Sequence, residues 1–336
     1  MIKKIKENRV SRTYLGGGKI DKFFGKSETK NSFFPEDWTA SVISAYNSSD
    51  GKLEGIGVTY EGEKITDLVG NDDFKILVKL LDSAERLVIQ AHPTVQFAKE
   101  FLKSDFGKTE CWYFLDCDED ACVYIGFKEG VNRKDWEDTF YKNDSEKMIS
   151  MLHRMPVKKG DFVFVDGGVP HAIGKGCFMI ELQEPSDLMV VNERFTPSGR
   201  EIPEKRLHMG LGYEKMFDVY DYTGYTFEAF KQKYCPEKKE IGKNLYEVLG
   251  KDLTDKFSMY LLIHNGELKT YKKYRIAIMG GKPILDFPAR SPFCILCHFR
   301  VYTNHEKEPF CQLPRQIQVF LGNRSKILYL LASFRL

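Results

Sequence analysis

The chain has 336 residues, 42% of them hydrophobic and 29% charged, a balance that supports a folded protein with one large core or two domains. Its formal net charge of +2 gives no footing for nucleic acid or an anionic membrane as a partner, and no apolar run is long enough to span a bilayer. Eight scattered cysteines form no disulfide framework, which fits free thiols in a reducing cytoplasm.

The N-terminal Met1-Ile2-Lys3-Lys4 is basic but lacks the apolar core of a signal peptide. Gly16-Gly17-Gly18 lacks the lysine–hydroxyl spacing of a phosphate loop and reads as a turn. Phe74 to Leu81 is an apolar run, a buried strand or a short helix. Leu87-Val88-Ile89-Gln90 opens a β-branched strand. Cys111–Leu115 and Cys122–Phe127 flank the acidic turn Asp116–Asp120 and predict a hairpin. Apolar spacing through Trp136, Phe140, Met148, Leu152 and Met155 predicts a helix over 134–154. Short strands follow at Phe162–Val165, Ala172-Ile173 and Phe178–Leu182. Residues 202–211 and 227–234 read as connecting helices or coil, and 236–243 as a charged linker. Strands resume at Phe257–Ile263 and Arg275–Met279. Many short strands, few helices and no strand–helix alternation predict a mainly β fold, a sandwich or jelly roll with helical additions.

The chemistry-bearing residues cluster in three places. Gln90 and His92 lie two apart on one strand, so both side chains share a face, and Pro93 ends the ladder. Glu110 starts the strand at Cys111. His171 follows the turn Gly167-Gly168-Val169-Pro170 at the start of another strand. Two imidazoles, a carboxylate and an amide suit a borderline divalent cation such as zinc. Cys294 and Cys297 form a CxxC pair with no second pair beside it, so free thiols explain them more simply than a tail zinc site.

Gln90-Ala91-His92-Pro93, Gly107-Lys108-Thr109-Glu110-Cys111-Trp112-Tyr113 and Gly160-Asp161 through Pro170-His171-Ala172 together resemble the core motifs of the type I mannose-6-phosphate isomerases, zinc enzymes of the cupin superfamily. Glu36-Asp37-Trp38-Thr39-Ala40-Ser41 is similar to their Glu-x-Trp-x-x-Ser segment, and the likeness runs from about Tyr14 to Gly212. It implies a cupin-type jelly-roll catalytic domain, here over residues 1–250, and a smaller C-terminal β-domain over 251–336. It also implies one zinc ion per chain, held by Gln90, His92, Glu110 and His171, with Gln90 either a fourth ligand or a neighbour of the other three. Lys108 would stand near the sugar. The implied reaction interconverts mannose 6-phosphate and fructose 6-phosphate through an enediolate. The alternatives are a related cupin isomerase on another sugar, or a cupin that binds metal or sugar without turnover.

Three departures qualify the likeness. Val88 stands where the family has serine. Val191 stands where Ser186-Asp187 should lead to a catalytic arginine, and Arg194, three residues on, is the candidate replacement. Beyond Pro288 the texture changes and the family's second Gly-Asp turn is absent, so the tail is expected to be atypical and dispensable.

Overall fold

Two antiparallel sheets carry the first part of the chain. The computed structural model describes residues 2–46, 54–68, 75–242 and 245–264, together with the strands Arg275–Met279, Cys294–Arg300, Gln316–Asn323 and Lys326–Phe334. One sheet has six strands, in the order Arg9–Val10, Glu36–Thr39, Leu77–Asp82, Cys177–Gln183, Glu110–Cys117, Phe162–Val165. The other has five, in the order Val190–Val191, Gln90–Ala91, His171–Ile173, Cys122–Phe127, Leu152–Pro156. Side chains of both sheets, among them Val78, Trp112, Met179, Val123, Ile125 and Ile173, join one buried cluster. This is a sandwich closed on its own core, with the jelly-roll texture that the sequence predicts.

The central strands explain why their sequences barely alternate. Leu77–Asp82 and Cys177–Gln183 are buried at every position. A strand covered on both faces needs no polar side, so Phe74–Leu81 reads as a plain apolar run. Leu77–Asp82 is a strand, and Phe74 lies outside the described residues.

Two local expectations change. Glu110–Cys117 and Cys122–Phe127 are not a hairpin. The first pairs with Cys177–Gln183 and Phe162–Val165, the second with His171–Ile173 and Leu152–Pro156. The acidic turn therefore crosses from one sheet to the other. The stretch 134–154 is two helices and a strand. Arg133–Tyr141 is capped by Asn132 and Ser145–Ser150 by Asp144, each side chain accepting a backbone N–H. Leu152–Pro156 then runs as a strand whose Leu152 and Met155 enter different core clusters. An i, i+3 apolar pair fits a helix, and equally a strand buried on both faces.

The helices Arg133–Tyr141, Ser145–Ser150, Glu204–Leu207 and Tyr213–Phe217 cover the outer side of the five-stranded sheet. Trp136, Phe140, Phe217 and Tyr220 pack there with Ile89, Ala91, Phe127 and Val190. Among the described residues, no helix is long and apolar enough to cross a membrane. A third, eight-stranded sheet contains the strands from Phe257 to Phe334. It also takes in Ile2–Lys4, Lys239–Gly242 and Leu245–Leu249. The charged stretch 236–243 thus supplies an edge strand. The segments 280–293 and 301–315, where the tail changes texture, lie outside the described residues, as do the side chains of Cys294 and Cys297.

One buried carboxyl is a structural liability. Asp37, on the face of its strand opposite Glu36, is 1% exposed and accepts a hydrogen bond from Asn8 N at 2.8 Å. Burial pushes its carboxyl up to about 6. The folded state therefore holds this proton more tightly than the unfolded chain. Stability is lost as pH rises from near 4 to 6 and stays lower above that. Asp37→Asn is expected to raise the melting temperature by a few degrees at pH 7.5, with no gain near pH 3.5. An equal shift at both pH values would show that ionisation is not the cause.

Candidate metal centre

Both sheets contribute to one buried group of side chains. Gln90 and His171 face each other as register partners in the five-stranded sheet. His92 follows on the same face as Gln90. Glu110 reaches the group from the six-stranded sheet. Glycines let the connecting backbone close in. A Cβ on Gly107 would lie 2.6 Å from Pro93 O, and one on Gly167 would lie 2.9 Å from Thr94 Cα. Gly168 N donates to His92 O at 2.7 Å, so the Gly-Gly turn before His171 docks directly on the His92 segment.

His92, Glu110 and His171 each offer a ligand atom, and these atoms lie within 4.8 Å of one another. None of the three residues is more than 1% exposed. Backbone carbonyls set the ring orientations: His92 Nδ1 donates to Leu188 O at 2.8 Å and His171 Nδ1 to Val169 O at 3.0 Å. That leaves both Nε2 lone pairs facing Glu110, at 3.2 and 3.5 Å. Burial, reinforced by Lys108, lowers His92 to about 4, and burial also lowers His171. Burial works against the charge on Glu110, yet Lys108 and the imidazoles hold its carboxyl well below the ordinary range. The set is two neutral imidazoles and one carboxylate.

Trp112 Nε1 donates to Glu110 Oε1 at 3.1 Å. Glu110 Oε2 is buried and, among the described residues, accepts no aligned hydrogen bond, although Lys108 Nζ stands 2.8 Å away as an ion pair. The same ammonium is 2.8 Å from His92 Nε2. A buried carboxylate oxygen and two inward lone pairs, already drawing a positive charge to themselves, fit a divalent cation with nitrogen and oxygen ligands. Gln90 touches the group through Nε2, 3.2 Å from His171 Nε2.

Arg194 is not brought here. Its Nη1 donates to Tyr213 OH at 3.0 Å and its guanidinium lies over Phe140 and Tyr213, 4.7 and 5.0 Å from the ring centres. Positive charge enters the barrel on other residues. Lys79 Nζ binds Glu181 Oε1 at 2.8 Å, and Lys108 reaches the same oxygen at 3.7 Å. Lys79 also lies 3.8 Å from Glu36, which accepts from Tyr14 OH and Trp38 Nε1 and pairs with Arg12 at 2.9 Å. Arg12 grips Asp187 through both terminal nitrogens, at 3.0 and 3.2 Å. Three cations and four carboxylates thus form a chain of contacts from Glu110 to Asp187, with one formal negative charge in excess. The sequence signal for Lys79 is a lysine inside an apolar strand, a residue type seldom buried without a partner.

No family model matches the chain. The probable mannose-6-phosphate isomerase of Bacillus subtilis is 29% identical over 311 residues, covering 86% of this chain and 91% of that protein. The mannose-6-phosphate isomerase of Streptococcus mutans is 30% identical over 187 residues, 54% and 57% of the two chains. Among solved structures, a mannose 6-phosphate isomerase from Bacillus subtilis aligns over 98% of this chain and 95% of its own, with a TM-score of 0.61 at 19% identity. A zinc-bound mannose 6-phosphate isomerase aligns over 98% and 96%, with a TM-score of 0.57 at 11% identity, and so shares the fold. The chain that carries the three motifs in order is thus similar over most of its length to a probable mannose-6-phosphate isomerase, and it shares the fold of solved mannose 6-phosphate isomerases.

Proposed function

We propose that this protein is a zinc-dependent aldose–ketose isomerase that interconverts mannose 6-phosphate and fructose 6-phosphate. The observation that carries the reading is the buried His92–Glu110–His171 group with the Lys108 ammonium against it. His92, Glu110 and His171 would hold one zinc ion, with Gln90 at its side. Bound there, zinc supplies Lewis-acid polarisation of a sugar carbonyl.

The chain's own groups suit the rest of the task. Moving a proton between C1 and C2 passes through an enediolate, which adds one negative charge. A divalent ion would turn the barrel's single excess negative charge into a single positive one, the balance that intermediate needs. Lys108, 5% exposed, can donate to the developing oxyanion. Glu181, shared by Lys79 and Lys108, is the carboxylate best placed to carry the proton. The free thiols of Cys111, Cys117, Cys122, Cys177 and Cys235 suit a reducing cytoplasm.

A second reading, isomerisation of another sugar or sugar phosphate, draws on Val88 and Val191. Both are buried apolar side chains where the family carries serine and arginine. A coupled assay on zinc-loaded protein separates the two. Mannose 6-phosphate turnover should be lost with a chelator and regained with zinc. A zinc-replete protein inert on mannose 6-phosphate but active on another aldose supports the second reading. One inert on every aldose defeats both.

A further inference from the structure

Gln183 lies across the strand pair from Glu110. Glu184 N donates to Thr109 O at 3.0 Å, the bond that flanks a non-hydrogen-bonded pair. Such partners stand closer than the alternating ones, with Cα atoms about 4.5 Å apart. Regular alternation from Glu181 puts Gln183 on the barrel's interior face. The residue is 0% exposed.

Its carboxamide cannot be flipped. Both hydrogens of Nε2 are given to main-chain carbonyls, Glu184 O and Ser186 O. An oxygen in that position would face two acceptors. Oε1 must then point the other way, and among the described residues it accepts no hydrogen bond. The donors anchor the Glu184–Ser186 turn, and that explains half the side chain. The buried acceptor beside a proposed metal ligand is left over, and a native fold rarely leaves such an atom unused.

We propose that Gln183 is a substrate-positioning residue whose Oε1 accepts a hydrogen bond from one hydroxyl of the open-chain sugar. The role rests on the isomerase reading and adds a contact to it. Gln183 carries no charge and moves no proton. It fixes which hydroxyl lies beside Glu110, and so how the C1–C2 unit lies against Lys108.

The test is a cycle between residue and ligand. Zinc-loaded wild type and Gln183→Leu are titrated by calorimetry with a hexitol 6-phosphate, which keeps the open-chain hydroxyls but has no carbonyl, and with its single-deoxy analogues. Wild type should bind one analogue about five- to tenfold more weakly than the parent through the lost hydrogen bond. Gln183→Leu should bind that analogue and the parent equally, with zinc content unchanged. In turnover, KM should rise about as much while kcat stays within about threefold. Gln183→Met, of similar length, repeats the cycle if the leucine variant does not fold. A purely structural role predicts the same discrimination in wild type and variant, and that result overturns the proposal while leaving the isomerase reading intact. Wild type that neither binds the hexitol phosphate nor turns over sugar defeats both.

Discussion

His171→Ala is expected to empty the metal site and abolish turnover, while His153→Ala keeps both. The two histidines differ in what they face. His171 is fully buried, with its Nδ1 committed to Val169 O and its Nε2 lone pair turned toward Glu110 and Gln90. His153 stacks on Phe230 at 5.0 Å and donates from Nε2 to Tyr225 O, and among the described residues it joins no group of side chains that could hold an ion. Removing residues that merely orient a ligand costs roughly 10- to 100-fold in metal affinity. Removing a ligand itself should exceed that, leaving the ion unable to survive dialysis. The measurement is zinc per chain after dialysis, beside the coupled assay. His171→Ala that keeps one zinc would refute its assignment as a ligand. Loss of zinc from His153→Ala as well would point to unfolding, which circular dichroism would show.

Parts of the proposed metal group are legible in the sequence where they are local, while Glu110 joins them from the other sheet. Gln90 and His92 share a face by strand alternation, and His171 follows a glycine turn whose function is a close approach of backbones. Of the cationic side only Lys108 is legible in the sequence, because Lys79 and Arg12 are brought in by cross-strand register and tertiary pairing. Arg194 was the natural candidate in sequence, close to where the family's arginine would fall. The bend after Val190–Val191 instead lays it on Phe140 and Tyr213. Lys79 is hard to single out in the sequence because a strand buried on both faces hides one lysine among leucines and valines. The predicted hairpin after Glu110 failed for a related reason. Turn chemistry marks where a chain reverses and leaves open which sheet the next strand joins. The single helix expected over 134–154 is instead two short ones, started by the caps Asn132 and Asp144, followed by a doubly buried strand that imitates helical spacing.

Lys79→Met is expected to destabilise the fold strongly, and by a pH-dependent amount. Lys79 is 2% exposed and neutralises Glu181 and part of Glu36. Methionine keeps the volume but leaves those carboxylates with too little positive charge in a dry interior. Breaking a buried pair from one side typically costs about 3–5 kcal/mol. The dependence on pH identifies the cause. Burial raises the Glu36 carboxyl, but Arg12 and Lys79 more than offset this and hold it below its ordinary value. A depressed carboxyl contributes stability that is present above its unfolded pKa, near 4.5, and is lost as pH falls through the lower folded one. Without Lys79 that depression shrinks, so the penalty should be large at pH 7 and smaller near pH 4, where a carboxylate can take up a proton. Lys79→Met combined with Glu181→Gln leaves fewer unpaired charges and should recover most of the loss at pH 7. Urea midpoints of the three proteins at both pH values decide the matter. A single variant within about 1 kcal/mol of wild type at pH 7, or a double variant worse than the single, would mean that the network from Glu110 to Asp187 does not hold the barrel together through its charges.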